Sequence, residues 1–401
     1  MKLFSPLLLS LSVSACAARS GKPYSTCMIE SIISRQQGVV SSGAATSTLE
    51  SGVLALTLEA WLEQHPVSNA NHHNISAYLD SVLRAIIPVF KNNAPATSLL
   101  PLDRLSVGQA LLSKQHHLAT NETTAALSTL NTSLEIQKRN GYGGLWYYVY
   151  PNWSYLDGVV SFLPYMAAAN WSRADMLNQI QLLHSHCFDR DGSGLLVHGY
   201  DASLTAVWAN AETGGSPYVW GRSLGWYLAG LVNAFDLLSK QQTNKTDVNT
   251  GKLIREIEAQ IKKLCGRLVD YADRETGAWW QLPTFPGRQG NFLESSSTAL
   301  FIFALLKAAR LGVVSGDVVA VALRAYNYTV GHFVTRDETD GTLGYNGTVA
   351  VCSLNSTATY EYYTSRPIVA NSLLGEAAFV LASLEVERLG GYVGASVALE
   401  T

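Results

Sequence analysis

Nine separate segments of this chain place their apolar residues at helical spacing. They span residues 49–62, 76–90, 155–169, 173–186, 222–239, 252–271, 295–311, 317–332 and 371–390. Apolar side chains that recur every three or four residues give a helix one face to bury, whereas a half-buried strand alternates apolar and polar residues. Almost no stretch alternates for long enough to form a long strand. The pattern therefore predicts an all-α protein.

The segments are joined by polar, glycine-rich connections, and no linker or charge run divides the chain. A chain of 401 residues with 47% hydrophobic and 15% charged residues can build one large core. Helices that each bury one stripe can pack as successive hairpins around a ring, an α/α toroid. We expect a single domain over residues 18–401, with a pocket at one rim formed by the connections 208–210 and 212–215.

The N-terminus has the three parts of a secretory signal peptide. Met1-Lys2 is followed by an apolar run from Leu3 to Val13 and by Ala15-Cys16-Ala17. This predicts removal of residues 1–17. The alternative is a bacterial lipoprotein box, with lipid on Cys16. Because no segment reaches about 18 apolar residues, we expect no membrane contact after the signal is removed.

Asn-x-Ser/Thr sequons favour the secretory signal over the lipoprotein box. Nine of them begin at Asn74, Asn121, Asn131, Asn152, Asn170, Asn244, Asn327, Asn346 and Asn355. Composition alone predicts about three such sites, so the excess is typical of a eukaryotic extracellular glycoprotein. We expect a secreted protein.

The signal peptide carries one of the five cysteines. Cleavage would leave Cys27, Cys187, Cys265 and Cys352. An even number of cysteines in an oxidising compartment is compatible with one or two disulfides, whose pairing the sequence does not show. The alternative is four buried thiols, because a chain of this size is stable without cross-links.

One carboxylate, Asp157, ends the aromatic-rich run 143–158. Apolar surroundings that are short of water disfavour the charged form of a carboxyl group, which suits a general acid working near neutral pH. Aromatic rings also stack on sugar rings, so the run favours proton delivery to a bound saccharide. The alternative is helix capping, because Asp157 begins the predicted helix 157–169.

A second cluster combines His198 with Trp220, Arg222 and Trp226. A guanidinium can hold a carboxylate through two parallel hydrogen bonds, and an imidazole exchanges protons near neutral pH. An acidic sugar would suit this set. The alternatives are a core histidine with satisfied hydrogen bonds and an arginine paired with an acid of the protein. Asp103 stands at another predicted helix start, where it would be a cap.

Other site chemistries have little support. Residues 189–194 look like half a calcium loop, but Tyr200 stands where a bidentate glutamate is required, so we expect a turn. Cys/His metal spacing, a phosphate loop and a Gly-x-Ser-x-Gly elbow are missing from the sequence, and we expect no metal and no cofactor. A net charge of −3 gives no basic surface for nucleic acid.

Five motifs occur together and in order. They are Trp146-Tyr-Tyr-x-Tyr-Pro…Leu-Asp157-Gly, His198-Gly-Tyr-Asp, Trp220-x-Arg222-x-x-Gly-Trp226, Phe292-Leu-Glu294-Ser-Ser-Ser and Tyr363-x-Ser-Arg366-Pro-Ile-Val. In this order they resemble glycoside hydrolase family 105, the unsaturated rhamnogalacturonyl hydrolases. The resemblance implies an (α/α)6 barrel of six hairpins. It also implies removal of a terminal 4,5-unsaturated galacturonic acid from rhamnogalacturonan oligosaccharides, by hydration of the vinyl ether.

The resemblance assigns roles to eight residues. Asp157 and His198 would be catalytic, and the residues that would bind substrate are Asp103, Trp146, Tyr147, Trp220, Arg222 and Trp226. Two pairs depart from the family pattern, because Tyr147-Tyr148 stand where His-Lys is common and Ser223-Leu224 where Gly-Asn is common.

We expect a secreted, monomeric enzyme of fungal type. Three alternatives remain open at this point. The first is an unsaturated glucuronyl hydrolase acting on glucuronate-containing glycans. The second is a conventional inverting glycosidase, although several of those use an Asp-Asp pair that this chain lacks. The third is a non-catalytic glycan-binding relative.

Overall fold

The computed structural model describes residues 22–41, 43, 46–90, 92–113, 115–241 and 248–397. The predicted signal peptide and Cys16 lie outside these residues, so both remain predictions. No helix in the described ranges is long and apolar enough to cross a membrane.

Helices dominate the described part of the chain. In chain order they are α1 (Tyr24–Ser34), α2 (Ser47–Gln64), α3 (His72–Ile86), α4 (Ala94–Thr97), α5 (Arg104–Leu111), α6 (Thr120–Glu135), α7 (Val159–Ala168), α8 (Arg173–Cys187), α9 (Gly221–Gln241), α10 (Val248–Tyr271), α11 (Ser295–Arg310), α12 (Asp317–His332), α13 (Tyr360–Thr364) and α14 (Leu373–Val397), with a 3₁₀ helix at Ile87–Phe90. Each of the nine predicted segments coincides with one of them, which confirms the all-α prediction.

Six helices form a closed inner ring. Helices α2, α5, α7, α9, α11 and α14 pack each against the next, and α14 packs against α2. A helix surrounded on all sides has to be apolar or small around its whole circumference. In α7 every residue from Val159 to Ala167 is buried.

Six further helices surround this ring. Each inner helix packs on one partner, in the pairs α2–α3, α5–α6, α7–α8, α9–α10, α11–α12 and α14–α1. Outer helices need only one apolar stripe, as α10 shows: its buried residues Leu253, Ile257, Ile261, Leu264 and Leu268 recur every three or four positions. The six pairs form the predicted (α/α)6 barrel.

Within the described ranges, four short strands lie in the connections. β1 (Trp153–Tyr155) pairs antiparallel with β2 (Gly199–Asp201), and β3 (Val334–Arg336) pairs antiparallel with β4 (Leu343–Tyr345). The β1–β2 ribbon stands where α7 and α9 begin. A second hydrophobic cluster, separate from the main core, collects at this end of the ring and consists of Tyr155, Trp208, Trp220, Leu282, Val349, Cys352, Leu354, Ala358, Tyr360 and Tyr363.

The four cysteines of the described chain are buried, and no two of them form a disulfide with each other. Of the two interpretations left open, disulfides among these four cysteines are therefore wrong, and buried thiols are confirmed. Burial raises the pKa of Cys265 and Cys352 to about 12, so both thiols stay protonated at neutral pH.

Candidate active site

The β1–β2 ribbon brings Asp157 next to His198. Tyr155 pairs with Gly199 in the ribbon, and just beyond this pair the Leu156 N–H donates to the His198 carbonyl at 3.0 Å. The two strands approach closely because position 199 is a glycine: a Cβ there would lie 2.6 Å from the Ser154 carbonyl oxygen. The carboxyl oxygen Oδ2 of Asp157 consequently lies 3.2 Å from Nε2 of His198.

Asp157 is held by side chains and not by a helix end. Its Oδ2 accepts a hydrogen bond of 2.6 Å from the Ser223 hydroxyl, which stands in the first turn of α9. Helix α7 begins at Val159 after Gly158, without a side-chain cap. The capping interpretation of Asp157 is therefore wrong. The residue is 8% exposed, so the carboxyl group is buried but still reachable from solvent.

His198 is fully buried and fixed from one side. Its Nδ1 lies 2.8 Å from the Tyr363 hydroxyl, and its ring packs against Trp220 with 4.7 Å between centroids. Nε2 makes no aligned hydrogen bond within the described residues. His198 is therefore not a satisfied core histidine, because one ring nitrogen remains able to bond a ligand or water beside Asp157.

A second buried carboxyl, Asp103, lies within electrostatic range of Asp157. Its Oδ2 accepts a 2.6 Å hydrogen bond from the Tyr147 hydroxyl, and its buried Oδ1 has no partner among the described residues. Burial raises the pKa of Asp103 to about 7 against the lowering effect of the Tyr147 hydrogen bond, and the Asp157 charge adds to the rise. Although Asp103 precedes α5, its side chain caps nothing. The capping interpretation is wrong here too.

Tyr147 connects this second carboxyl to the ribbon. Its ring stacks on Tyr155 with 4.5 Å between centroids, and its carbonyl accepts the Leu102 N–H at 2.9 Å. The structure thus brings the predicted residues Asp103, Tyr147, Asp157 and His198 into one cluster at the end of the ring where the inner helices begin.

Arg222 is engaged by the protein itself. Nη1 donates to the Val349 carbonyl at 2.5 Å and to the Ser296 hydroxyl at 3.3 Å, and Nη2 donates to the Ala350 carbonyl at 2.9 Å. Three of its five N–H groups are thus bonded to the protein, and the role of Arg222 in holding a ligand carboxylate stays a prediction. The guanidinium holds the connection 349–350 near Trp220, whose ring lies 4.7 Å from the guanidinium carbon.

Glu294 completes this arrangement, and the sequence had shown it only as part of a motif. Its carboxylate accepts the N–H groups of Ser297 at 2.7 Å and Val349 at 3.0 Å, and lies 3.9 Å from Nη1 of Arg222. It caps α11 and binds the same connection as Arg222. The alternative interpretation of Arg222, an arginine beside an acid of the protein, fits this geometry.

The three predicted tryptophans have separate locations. Trp220 is buried beside His198 and donates to Gln281 Oε1 at 3.1 Å. Trp146 is half-buried, with the Lys138 ammonium 5.2 Å from its ring, and its substrate role stays a prediction. Trp226 belongs to the main core.

The prediction that Trp226 lies together with Trp220 in one cluster is therefore corrected. Trp226 lines a cavity of about 240 Å³ inside the ring, whose walls include Glu59 and Lys307 but neither Asp157 nor His198. Of the connections expected to form a pocket, Trp208, Asn210, Thr213 and Gly215 line a separate one of about 310 Å³.

Comparison with known proteins agrees with this fold. Residues 56–390 match the model of Glycosyl Hydrolase Family 88. Protein Atu3128 of Agrobacterium fabrum is 31% identical over 204 residues, which cover 49% of this chain and 83% of that protein. The 24.9 kDa protein in the picA locus of Rhizobium radiobacter matches with the same values.

Two solved structures share this fold. A family 105 glycoside hydrolase of C. acetobutylicum superposes with a TM-score of 0.76 at 26% identity, covering 92% of this chain and all of that one. The unsaturated glucuronyl hydrolase of Bacillus sp. GL1 superposes with a TM-score of 0.57 at 13% identity, covering 87% and 88% of the chains, which shows the fold alone. The chain therefore belongs to Glycosyl Hydrolase Family 88 and, with its family 105 relatives, to the unsaturated uronyl hydrolases.

Proposed function

We propose that this hydrolase removes a terminal 4,5-unsaturated galacturonic acid from oligosaccharides derived from rhamnogalacturonan. The observation that carries the proposal is the buried Asp157 carboxyl, bonded through one oxygen to Ser223 and next to His198. Its other oxygen, Oδ1, has no hydrogen-bond partner among the described residues and can face a substrate.

The chemistry needs one carboxyl group in two protonation states. Protonated Asp157 gives its proton to C4 of the unsaturated ring, and the positive charge that develops at C5 is shared with the ring oxygen. A water molecule then adds to C5 and returns a proton to the Asp157 carboxylate. The resulting hemiketal opens to a ketone, and the glycosidic bond breaks. A second catalytic carboxylate of the kind that ordinary glycosidases use is not required.

The surrounding residues support this route. Tyr363 holds the His198 ring so that Nε2 points towards Asp157, where it can bind the incoming water. Asp103, with its pKa near 7 and an unpartnered Oδ1, can either donate to or accept from a sugar hydroxyl at neutral pH.

The choice of a galacturonyl substrate rests on similarity. The family 105 hydrolase of C. acetobutylicum is more similar to this chain, in sequence and in fold, than the unsaturated glucuronyl hydrolase of Bacillus sp. GL1. A pair of disaccharides tests the choice: unsaturated galacturonyl-rhamnose and an unsaturated glucuronyl disaccharide, each followed by loss of the enol-ether ultraviolet absorbance. Faster loss with the first supports the proposal, and faster loss with the second overturns the substrate assignment. Binding of either without absorbance loss would indicate a glycan-binding relative.

We also propose that the protein is secreted, glycosylated and monomeric. Six of the described sequon asparagines are exposed, namely Asn74, Asn121, Asn170, Asn327, Asn346 and Asn355, whereas Asn131 and Asn152 are half-buried. Expression in a fungal host should give a protein in the medium that begins after Ala17 and loses mass on treatment with an endoglycosidase. A protein retained in cells with lipid on Cys16 would contradict this proposal. Size-exclusion chromatography should give one chain's mass, and a larger particle would exclude the monomer.

A further inference from the structure

Ser223 lies between two acceptors at the centre of the site. Its hydroxyl oxygen is 2.6 Å from Asp157 Oδ2 and 3.2 Å from the carbonyl oxygen of His198. The side chain is fully buried, so water does not compete for the hydroxyl. A hydroxyl group carries one proton and can therefore donate to only one of these acceptors at a time.

The two acceptors correspond to the two protonation states of Asp157. When Asp157 is ionised, the hydroxyl donates to Oδ2. When Oδ2 carries the proton, the carboxyl donates to the serine oxygen and the hydroxyl turns towards the His198 carbonyl. Only rotation about the Cβ–Oγ bond is needed, and no buried polar group loses its partner in either state.

The second acceptor is fixed in place by the ribbon. The His198 carbonyl also accepts the N–H of Leu156, the residue before Asp157, at 3.0 Å. A carbonyl oxygen has two lone pairs, so it can accept from both groups at once. The spacing of the two acceptors therefore follows from the same β1–β2 pairing that places Asp157, and α9 supplies Ser223 to both.

We propose that Ser223 is a positioning residue whose rotating hydroxyl bonds Asp157 in both protonation states and keeps Oδ1 turned towards the substrate. The inference deepens the proposed function, because a group that is first acid and then base passes through both states in each turnover. It concerns one of the positions where this chain departs from the pattern of the family it resembles, in which a glycine without a hydroxyl would stand.

The proposal has a directional consequence for pH dependence. The hydrogen bond to the ionised carboxylate is charge-assisted and stronger than the bond made to the neutral acid. Ser223 thus favours the ionised form, and its removal favours the protonated form. Turnover that requires protonated Asp157 should then persist to higher pH, while the maximal rate falls because the carboxyl group is less well held. Asp103 and His198 face the same carboxyl and are unchanged in the variant.

The experiment compares S223A with the matched control S161A. Ser161 is also fully buried, stands in α7 close to Asp157, and its hydroxyl has no hydrogen-bond partner among the described residues. The Asp157 carboxyl is followed by carbon-13 nuclear magnetic resonance in aspartate-labelled protein, with its signal assigned by its absence in D157N. We expect S223A to move the titration midpoint of this signal up by about one pH unit and to lower kcat about 10- to 100-fold. S161A should move neither.

Two further variants separate the hydroxyl from packing. S223T keeps the hydroxyl and should stay near the wild-type midpoint; a shift as large as that of S223A would overturn the proposal. S223C, a weaker donor of similar size, should shift in the same direction as S223A and replaces it should S223A not fold.

The two measurements distinguish this inference from the proposed function. If the titration midpoint moves in S223A but the wild-type protein does not consume unsaturated uronides, the hydrogen-bond role is supported and the proposed function is refuted. Normal turnover with an unchanged midpoint in S223A would refute the role of Ser223 and leave the function standing.

Discussion

Asp157 Oδ2 lies 3.2 Å from His198 Nε2, although the two residues belong to different connections of the helical ring. The distance is set by backbone pairing, because Tyr155 stands opposite Gly199 and Leu156 bonds the His198 carbonyl. A ladder of backbone hydrogen bonds holds catalytic groups more precisely than flexible loops do. The relation between this acid and this imidazole is therefore a property of the fold.

The first prediction concerns the acid itself. D157N should lower kcat about 100- to 10,000-fold, because an amide cannot give a proton to carbon or take one from water. The replacement is nearly isosteric, so circular dichroism and the melting temperature should change little. D270N, at an exposed ion pair with Arg267, is the control and should keep full activity. A D157N protein with wild-type turnover would exclude Asp157 as the acid.

The second prediction tests the ribbon. G199A places a Cβ 2.6 Å from the Ser154 carbonyl, so the two strands must separate. We expect stability to fall by more than about 1 kcal/mol and kcat to fall with it. G331A is the matched control, because a Cβ in that helical position meets nothing within 4 Å. It should raise stability by up to about 1 kcal/mol in urea denaturation. Equal stability of the two variants would show that the close approach is unimportant.

Much of the fold could be predicted from the sequence because the apolar face of a helix is visible in the spacing of nearby residues. Long segments such as α9 and α11 carry apolar faces that are visible without knowledge of their partners. The eight-residue α5 was not among the predicted segments, because so short a helix spans little more than two turns and its period is hard to detect. Periodicity supports the closure of the ring only weakly, and the family resemblance implies it.

The site was predicted in composition but not in geometry. The sequence does not reveal that Arg222 donates hydrogen bonds to the carbonyls of residues 349 and 350, which are more than a hundred residues away. Trp220 and Trp226 were grouped by closeness in sequence. Trp220 precedes α9, however, and packs in the second hydrophobic cluster, whereas Trp226 lies inside α9 and packs in the main core. Ser223 was noted only as a departure from the family pattern, and its contact with Asp157 requires the ring to be closed.

The third prediction concerns the connection 349–350, which Arg222 and Glu294 hold. R222K should destabilise the protein by about 2–4 kcal/mol, because one ammonium cannot replace three guanidinium hydrogen bonds and Glu294 is left poorly paired. KM should rise as the connection 349–350 loosens. R190K, at an exposed pair with Glu212, should stay within about 0.5 kcal/mol of wild type. Unchanged stability and KM in R222K would refute this role.

The last prediction follows from the pKa of Asp103. The ordinary value is 3.8, and burial raises it to about 7 in the folded protein. Between these values the unfolded chain is ionised while the folded protein still holds the proton, so the folded state binds more protons. The stability that Asp103 contributes is thus fully present below pH 4 and is lost as pH rises through about 7. The loss cannot exceed about 4 kcal/mol, at 1.36 kcal/mol for each pH unit.

Urea denaturation at a series of pH values measures this contribution. D103N carries no titrating carboxyl, so the difference between the wild-type and D103N free energies of unfolding should decline steadily from pH 4 to pH 8. Y147F removes the hydrogen bond that lowers the pKa of Asp103, so its decline should extend to higher pH than that of wild type. Parallel wild-type and D103N curves would mean that folding does not raise the pKa of Asp103. A Y147F decline that ends at lower pH than that of wild type would show that the tyrosine does not stabilise the carboxylate.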